Sequence, residues 1–139
     1  MAKASNLFVN LPVKDLERSK AFFTALGFRI NPQFTDENAA SIVLGDHLFA
    51  MLLTETFFRN FSAKPIVLGK TGSETIIALS VDSRREVDEL VDKALAAGGN
   101  VARHSEDLDF MFSRSFEDPD GHIWEILWMD PAHIQEIHE

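Results

Sequence analysis

The side chains that could carry chemistry in this sequence are few and widely spaced. There is no cysteine, which removes thiolate nucleophiles, disulfides and Cys-based metal sites. No two histidines stand in a His-x-x-x-His or His-Glu-x-x-His spacing, so the strong zinc patterns are absent. Neither a Gly-x-Ser-x-Gly elbow nor a glycine-rich nucleotide loop occurs. The remaining candidates are single carboxylates, arginines and histidines.

Glu125 is the carboxylate whose setting most suggests a role. It follows the turn sequence at 118–121, within an alternating strand pattern. If 118–121 form the hairpin turn, Arg114 faces Glu125 on the same side of the sheet. Glu125 is then a general base or ligand anchor in a cavity, or one half of a structural ion pair. The two readings overlap, because a cavity Arg–Glu pair also grips a polar ligand.

The histidines divide by their surroundings. His104 lies beside the acidic stretch 106–109, where it is either a proton acceptor or metal ligand on a loop at the cavity mouth, or part of a polar surface loop. His47 and His122 stand at turn exits, where we expect solvated or strand-end residues. His133 and His138 belong to the tail, for which we expect exposure and a frayed helix.

An internal near-repeat indicates how these residues are positioned. Residues 7–30 and 75–101 each read as a strand, a helix and a glycine stop. Three strand candidates follow each helix, at 29–34, 40–45 and 48–53, and at 100–104, 110–117 and 122–128. Each half therefore reads βαβββ.

The helix boundaries and strand faces are locally marked. Asp15 caps the first predicted helix, which Gly27 ends. Ser83 and Glu86 form a capping box for the second. Period-two alternation predicts aliphatic strand faces buried under the helices and mixed faces lining a cavity. The aliphatic faces carry Val9, Leu11, Val13, Ile77, Leu79 and Val81.

Length and charge set the class of protein. We predict one domain over residues 1–139, with modules at about 6–53 and 75–128, a linker at 54–74 and a tail at 129–139. The net charge of −9 disfavours nucleic acid and anionic membrane surfaces as partners. No apolar run reaches 18 residues and the N-terminus lacks a signal-like core, so we expect a cytoplasmic protein.

Short motifs recur at the same places in both modules or close them: LPVKDLERS at 11–19, FF at 22–23, LGF at 26–28, ALSVD at 78–82 and DPDGHIWEI at 118–126. Two βαβββ modules with these motifs resemble the vicinal oxygen chelate superfamily, which contains glyoxalase I, bleomycin- and fosfomycin-resistance proteins and extradiol dioxygenases. The resemblance implies an α+β fold whose two mixed sheets curl around a shared, mostly apolar cavity.

The resemblance also implies positions for metal ligands on the cavity faces. These positions fall on Phe8, on Ile76, on Ala50 or Met51, and on Glu125. Only Glu125 offers the oxygen that a hard divalent cation requires. We therefore expect no metal cofactor and no standard glyoxalase I reaction, although a divalent metal is not excluded.

Three functions remain open at this point. The first is a metal-poor family protein that binds a small, partly apolar molecule. The second is a lyase or ring-cleavage dioxygenase with a non-standard metal site built from Glu125, His104 and loop carboxylates, in which Glu125 is catalytic. The third is a structural partner domain. The predicted ligand-binding residues are Phe8, Asn10, Met51, Ile76, His104, Arg114 and Glu125.

A homodimer is expected as well. Phe57, Phe58 and Phe61 read as a lid over the pocket, or as core or dimer-interface packing. They add more apolar surface than a linker requires, and packing around a two-fold axis is an economical way to bury it. The sequence is equally compatible with two modules that pair within one chain and with modules that pair across a dimer.

Overall fold

The computed structural model describes residues 2–133 and contains two four-stranded mixed sheets with their helices. The first sheet has the order β1-β4-β3-β2 and the second β5-β8-β7-β6. Each pairs its first and last strands in parallel and the others antiparallel. The strands are β1 (Leu7–Val13), β2 (Arg29–Asn31), β3 (Ala39–Gly45), β4 (Leu48–Thr54), β5 (Ile76–Ser80), β6 (Glu106–Leu108), β7 (Met111–Glu117) and β8 (Ile123–Met129).

Three α-helices connect these strands. They are α1 (Leu16–Ala25), α2 (Glu55–Phe58) and α3 (Arg84–Ala96), with short 3-10 turns at Pro32–Phe34 and Pro131–His133. The twofold βαβββ arrangement and the α+β class are therefore confirmed. Within the described part of the chain, no helix is both long and apolar enough to cross a membrane.

The predicted helix signals are confirmed at atomic level. The Asp15 carboxylate accepts a hydrogen bond from the Arg18 amide at 3.1 Å. The Ser83 hydroxyl oxygen likewise accepts from the Glu86 amide at 3.1 Å. Gly27 follows α1 with a φ of +104°, a left-handed conformation that side chains with a Cβ rarely adopt.

Two predicted strands were wrong in extent. The strand expected at 29–34 stops at Asn31, because Pro32 lacks an N–H and begins a 3-10 turn. The strand expected at 100–104 is replaced by a single bridge from Asn100 to Glu117, and β6 forms further on. Beyond that bridge the Arg103 amide donates to the Ser115 hydroxyl instead of to a ladder carbonyl.

One hydrophobic core lies on the helix-covered sides of both sheets. The ring of Phe22 in α1 packs 5.9 Å from Phe116 of β7, and Phe23 packs 5.3 Å from Trp124 of β8. Helix α1 therefore joins the first module to the second sheet. The six aliphatic strand residues predicted under the helices belong to this core or pack against it.

The opposite sides of the sheets are not covered by helices α1 and α3, and we call them the open faces. The two sheets are separate and do not close onto each other within the chain. Strands β1 and β5 form an outer edge of the first and second sheet, respectively. The open faces carry Phe8, Asn10 and Met51 in the first sheet and Ile76, Ala78 and Glu125 in the second.

The turn between β7 and β8 holds the two modules together. Asp120 accepts hydrogen bonds from the Lys14 amide at 2.9 Å and the Ser19 hydroxyl at 3.0 Å, and it pairs with the Arg18 guanidinium at 3.3 Å. His122 donates through Nε2 to the Pro12 carbonyl at 2.8 Å. Of the two expectations for His122, solvated or at a strand end, the second is correct, because His122 directly precedes β8 and its ring bonds the first module.

Candidate functional site

The open face of the first sheet is an apolar surface. Asn10 lies opposite Met51 in the parallel register of β1 and β4. Ala50 is fully buried on the helix side, so Met51 occupies the fourth-strand position that the sequence left ambiguous. Phe8 stacks on Phe49 with ring centroids 4.9 Å apart. In one chain this face lies open to solvent, since 53% of Phe8 is exposed.

The open face of the second sheet combines apolar and polar residues. Ile76 lies opposite Ile123 and is 55% exposed, like Phe8 at the equivalent place in the first module. Glu125 lies between Ala78 of β5 and Ser115 of β7.

Arg114 does not face Glu125, and the predicted pair was wrong. Asp118 pairs with His122 through a 3.0 Å bond from its amide to the His122 carbonyl. The turn is therefore 119–121, with Gly121 at a φ of +85°, which moves the register by one residue. Arg114 consequently lies opposite the buried Ile126, on the helix side.

The actual partners of Arg114 are carboxylates of α3. Its guanidinium Nη1 is 2.8 Å from Asp88 and 2.9 Å from Asp92. Partial burial lowers the pKa of Arg114, but the hydrogen bonds and charges of these two carboxylates raise it above its usual value. Arg114 therefore fastens β7 to α3 and does not belong to a ligand site on the open face.

Glu125 is paired instead with Arg103, which the sequence analysis did not identify. The Arg103 guanidinium donates to the Glu125 carboxylate, and also to Glu106 at 3.4 Å. The hydrogen bond from Arg103 to Glu125 and the charge of that carboxylate raise the pKa of Arg103. The Arg103 amide donates to the Ser115 hydroxyl at 3.0 Å, which holds the loop over the sheet.

A buried hydroxyl lies next to this pair. Ser113 lies two residues from Ser115 on the same strand face, between Glu106 and Leu127 in the register. Its Oγ is buried and has no hydrogen-bond partner among residues 2–133. A buried polar atom without a protein partner is uncommon in folded proteins. We call Arg103, Ser113, Ser115 and Glu125 the polar cluster.

The donor set of the open faces does not fit a divalent metal. Phe8 and Ile76 have no lone pair to offer, and a thioether such as Met51 prefers soft metals. Glu125 already bonds Arg103. Over residues 2–133 no three His, Asp or Glu side chains come together in a way that could hold a metal ion. The alternative site of Glu125, His104 and loop carboxylates is therefore not assembled.

None of the other described histidines has a contact with the Glu125 carboxylate within residues 2–133. His47 Nδ1 bonds Asn6 at 3.1 Å, and the ring of His133 stacks on Phe110 at 4.9 Å. His104 is exposed, next to Arg103 in the chain. His138 and most of the predicted tail lie outside the described residues.

The predicted lid phenylalanines lie on and just after α2. Phe57 and Phe58 are partly buried, and the ring of Phe57 contacts that of Phe61 edge-on at 5.2 Å. Phe61 is 69% exposed, so this group still presents apolar surface to solvent.

Comparison with known proteins identifies the class. The fold is similar to that of a glyoxalase-related enzyme from Fulvimarina pelagi, at 22% identity over 92% of this chain and 88% of that one, with a TM-score of 0.74. It also matches the fosfomycin resistance protein FosX from Mesorhizobium loti, at 17% identity over 95% and 97%, with a TM-score of 0.66.

A more similar sequence is a hypothetical protein, SA1046, from S. aureus. It is 33% identical over 91% of this chain and 95% of that one, with a TM-score of 0.75. Residues 6–45 match the family described as bleomycin resistance protein-like N-terminal. Among curated proteins, no sequence matches this one. The chain belongs to the vicinal oxygen chelate superfamily, that of the glyoxalase, bleomycin resistance and dioxygenase proteins.

Proposed function

We propose that this protein binds a small organic molecule with a flat apolar body and one anionic group on the open faces of its sheets, without a metal ion. One observation carries the proposal. Apolar Phe8, Met51 and Ile76 occupy positions where the family resemblance expects metal ligands, and the retained carboxylate Glu125 is committed to Arg103. Ligand sites of this kind combine an apolar lining with few polar groups.

The polar cluster supplies the anchor for the anionic group. Arg103 keeps 43% of its side chain exposed and holds two carboxylates through two of its nitrogens. A guanidinium has five N–H donors, so several remain for a carboxylate from the ligand. In this proposal Glu125 orients Arg103 and is not a general base.

A second copy of the chain completes the pocket in this proposal. Phe8 and Ile76 are 53% and 55% exposed at equivalent places in the two modules, and the sheets do not close within one chain. Packing the first open face of one protomer against the second open face of its partner buries both residues around a two-fold axis. Each resulting pocket then has an apolar wall and a polar cluster.

The amino-acid composition supports a cytoplasmic location and a small-molecule ligand in this proposal. The absence of cysteine fits a reducing compartment such as the cytoplasm. The net charge of −9 repels phosphate backbones and anionic lipid, so the proposal includes no nucleic acid or membrane partner.

Binding is tested by a titration of EDTA-treated protein with 2-naphthoate, followed by amide chemical shifts. We expect shifts at the polar cluster and around Phe8, and an affinity that falls roughly tenfold in Arg103→Ala, the value of one charge-assisted contact. Arg114→Ala is the matched control, because that arginine lies on the helix side. Equal affinities for the two variants would refute the proposed anchor.

The dimer is tested by sedimentation velocity at micromolar concentration. Phe8→Asp places a charge in the proposed interface and should give monomers. Ala21→Asp is the control, since Ala21 is exposed on α1, on the helix-covered side of the sheets. A monomeric wild type, or an undiminished dimer in Phe8→Asp, would contradict the proposed assembly.

A further inference from the structure

We propose that a second ligand site, for a small organic monoanion with an apolar body, lies where the segment between α2 and β5 meets α1. We call that segment, residues 59–75, the connecting segment. A cavity of about 270 Å³ opens there between the end of β1, the start of α1 and the turn at 119–121. The residues that line it are distinct from the polar cluster and from Phe8, Met51 and Ile76.

One part of the wall of this cavity is apolar, and the rest carries charged side chains. The apolar part consists of Pro12, Pro119 and the connecting-segment residues Val67 and Leu68. Val67 is 56% exposed and Leu68 37% exposed, so a bound molecule would cover apolar surface that the chain alone leaves in water. Burial of that surface is the source of affinity for the apolar body.

The connecting segment is held in place at this cavity. The amides of Thr71 and Gly72 donate to the Leu68 carbonyl at 3.0 and 3.1 Å, which closes a tight turn. The Gly69 backbone lies against Gly121, and a Cβ on Gly69 would be 2.5 Å from the Asp120 carbonyl. Only glycine permits this approach. The neighbouring Lys70 is thereby set at the edge of the cavity.

The charges around the cavity favour a single negative charge on the ligand. Its lining contains the cations Lys14, Arg18 and Lys70, and the carboxylates Glu55 and Asp120. Asp120 is already neutralised by Arg18 and by two further hydrogen bonds. Lys14 and Lys70 have no ion-pair partner within residues 2–133. One positive charge is in excess, which matches a carboxylate better than a phosphate of charge about −1.5 to −2.

A neighbouring cavity indicates where the anionic group would bind. Arg18, Lys70 and Pro119 also line a wider cavity of about 760 Å³, which continues between α1 and Gly98. The two cations therefore stand at the boundary of both spaces. A carboxylate held between Arg18 and Lys70 would leave the apolar body in the smaller cavity, against Val67.

The site is tested with benzoate at millimolar concentration, with benzyl alcohol and benzyl phosphate as neutral and dianionic probes. We expect benzoate to shift the amides of residues 67–72 and to bind more tightly than either other probe. Lys70→Ala should raise the dissociation constant for benzoate roughly tenfold, and Lys70→Arg should largely preserve it. The exposed Lys93 of α3 provides the control variant Lys93→Ala, which should match the wild type.

The outcomes separate this site from the open faces. Benzoate binding at this second site should be unchanged in Arg103→Ala, although that variant removes the cation proposed to bind the ligand's anionic group on the open faces. Benzoate shifts that are lost in Arg103→Ala, or that spare residues 67–72, would overturn the second site. So would equal affinities for Lys70→Ala and Lys93→Ala, or tighter binding of benzyl phosphate than of benzoate.

Discussion

Asp118 should be among the most sensitive polar positions of this fold. Its side chain is buried, and its Oδ2 accepts the indole N–H of Trp124 at 3.0 Å. Its Oδ1 accepts the amides of Asp120 and His122, each at 3.0 Å. Asp118→Ala leaves all three donors without an acceptor. The turn that these bonds shape is also the one that joins the modules.

The magnitude follows from where each donor lies. Trp124 is 1% exposed, so its N–H finds no water and costs about 1–3 kcal/mol when unpaired. The two turn amides lie closer to solvent and add about 1 kcal/mol together. We expect a loss of about 2–4 kcal/mol, a large part of the roughly 5–15 kcal/mol typical of a domain. Asp118→Asn retains one acceptor oxygen and should lose less.

The assay is urea unfolding followed by far-ultraviolet circular dichroism. Tryptophan fluorescence is unsuitable because one of the compared variants, Trp124→Phe, removes a tryptophan. In the Trp124→Phe background no indole N–H is left unpaired, so Asp118→Ala should cost at least about 1 kcal/mol less there. If the double variant lost as much unfolding free energy as the two single variants together, the hydrogen bond from the indole N–H to Asp118 would contribute nothing. A single variant Asp118→Ala within about 0.5 kcal/mol of wild type would refute the reasoning altogether.

Three further predictions follow from the same contacts. The effects of Arg114→Ala and Glu125→Gln on the free energy of unfolding should add in the double variant, within about 0.5 kcal/mol, because the two side chains lie on opposite faces of the sheet. A larger coupling energy would mean that Arg114 and Glu125 interact. The Arg84 guanidinium lies 5.0 Å from the Trp128 ring and also donates to the Asp107 carboxylate and the Leu108 carbonyl, each at 2.5 Å. Arg84→Ala should therefore lower the free energy of unfolding by about 1 kcal/mol in urea, and Arg84→Lys should recover only part of it; full recovery would mean that the planar shape of the guanidinium contributes nothing. Burial raises the pKa of Asp118 above its ordinary value of 3.8, so the folded protein binds this proton more tightly than the unfolded chain does. The free energy of unfolding of the wild type should therefore fall as the pH rises from 3.8 to the folded-state pKa, and Asp118→Asn should lack this decline. Parallel pH profiles of the urea midpoint for the two proteins would contradict this prediction.

The features that the sequence predicted correctly are those that depend on near neighbours along the chain. Asp15 and Ser83 cap helices because each bonds an amide three residues on. The glycine stops and the alternating strand faces are equally local, and their repetition in two modules strengthens the fold assignment. The exception at Pro32 is local as well, since its missing N–H was visible in the sequence.

The candidate site was harder to predict because it depends on register and on distant segments. A turn of 119–121 rather than 118–121 transferred Arg114 to the helix side, since one residue of slip reverses a strand face. Arg103 was predicted to lie on a strand at 100–104 but lies in a loop, so strand register could not predict its contact with Glu125. The cavity beside the connecting segment is lined by Lys14, Lys70 and Pro119, which come from three separate segments, and no sequence pattern predicts that they lie close together.

The central claim is that an organic anion binds the open faces without help from a metal. The most direct measurement is the calorimetric affinity of EDTA-treated protein for 2-naphthoate, before and after addition of one equivalent each of nickel, zinc, iron or manganese. We predict saturable binding in the stripped protein, unchanged by any of the metals and weakened roughly tenfold in Arg103→Ala. Binding that appears only with metal, and that is lost in Glu125→Ala, would contradict the account.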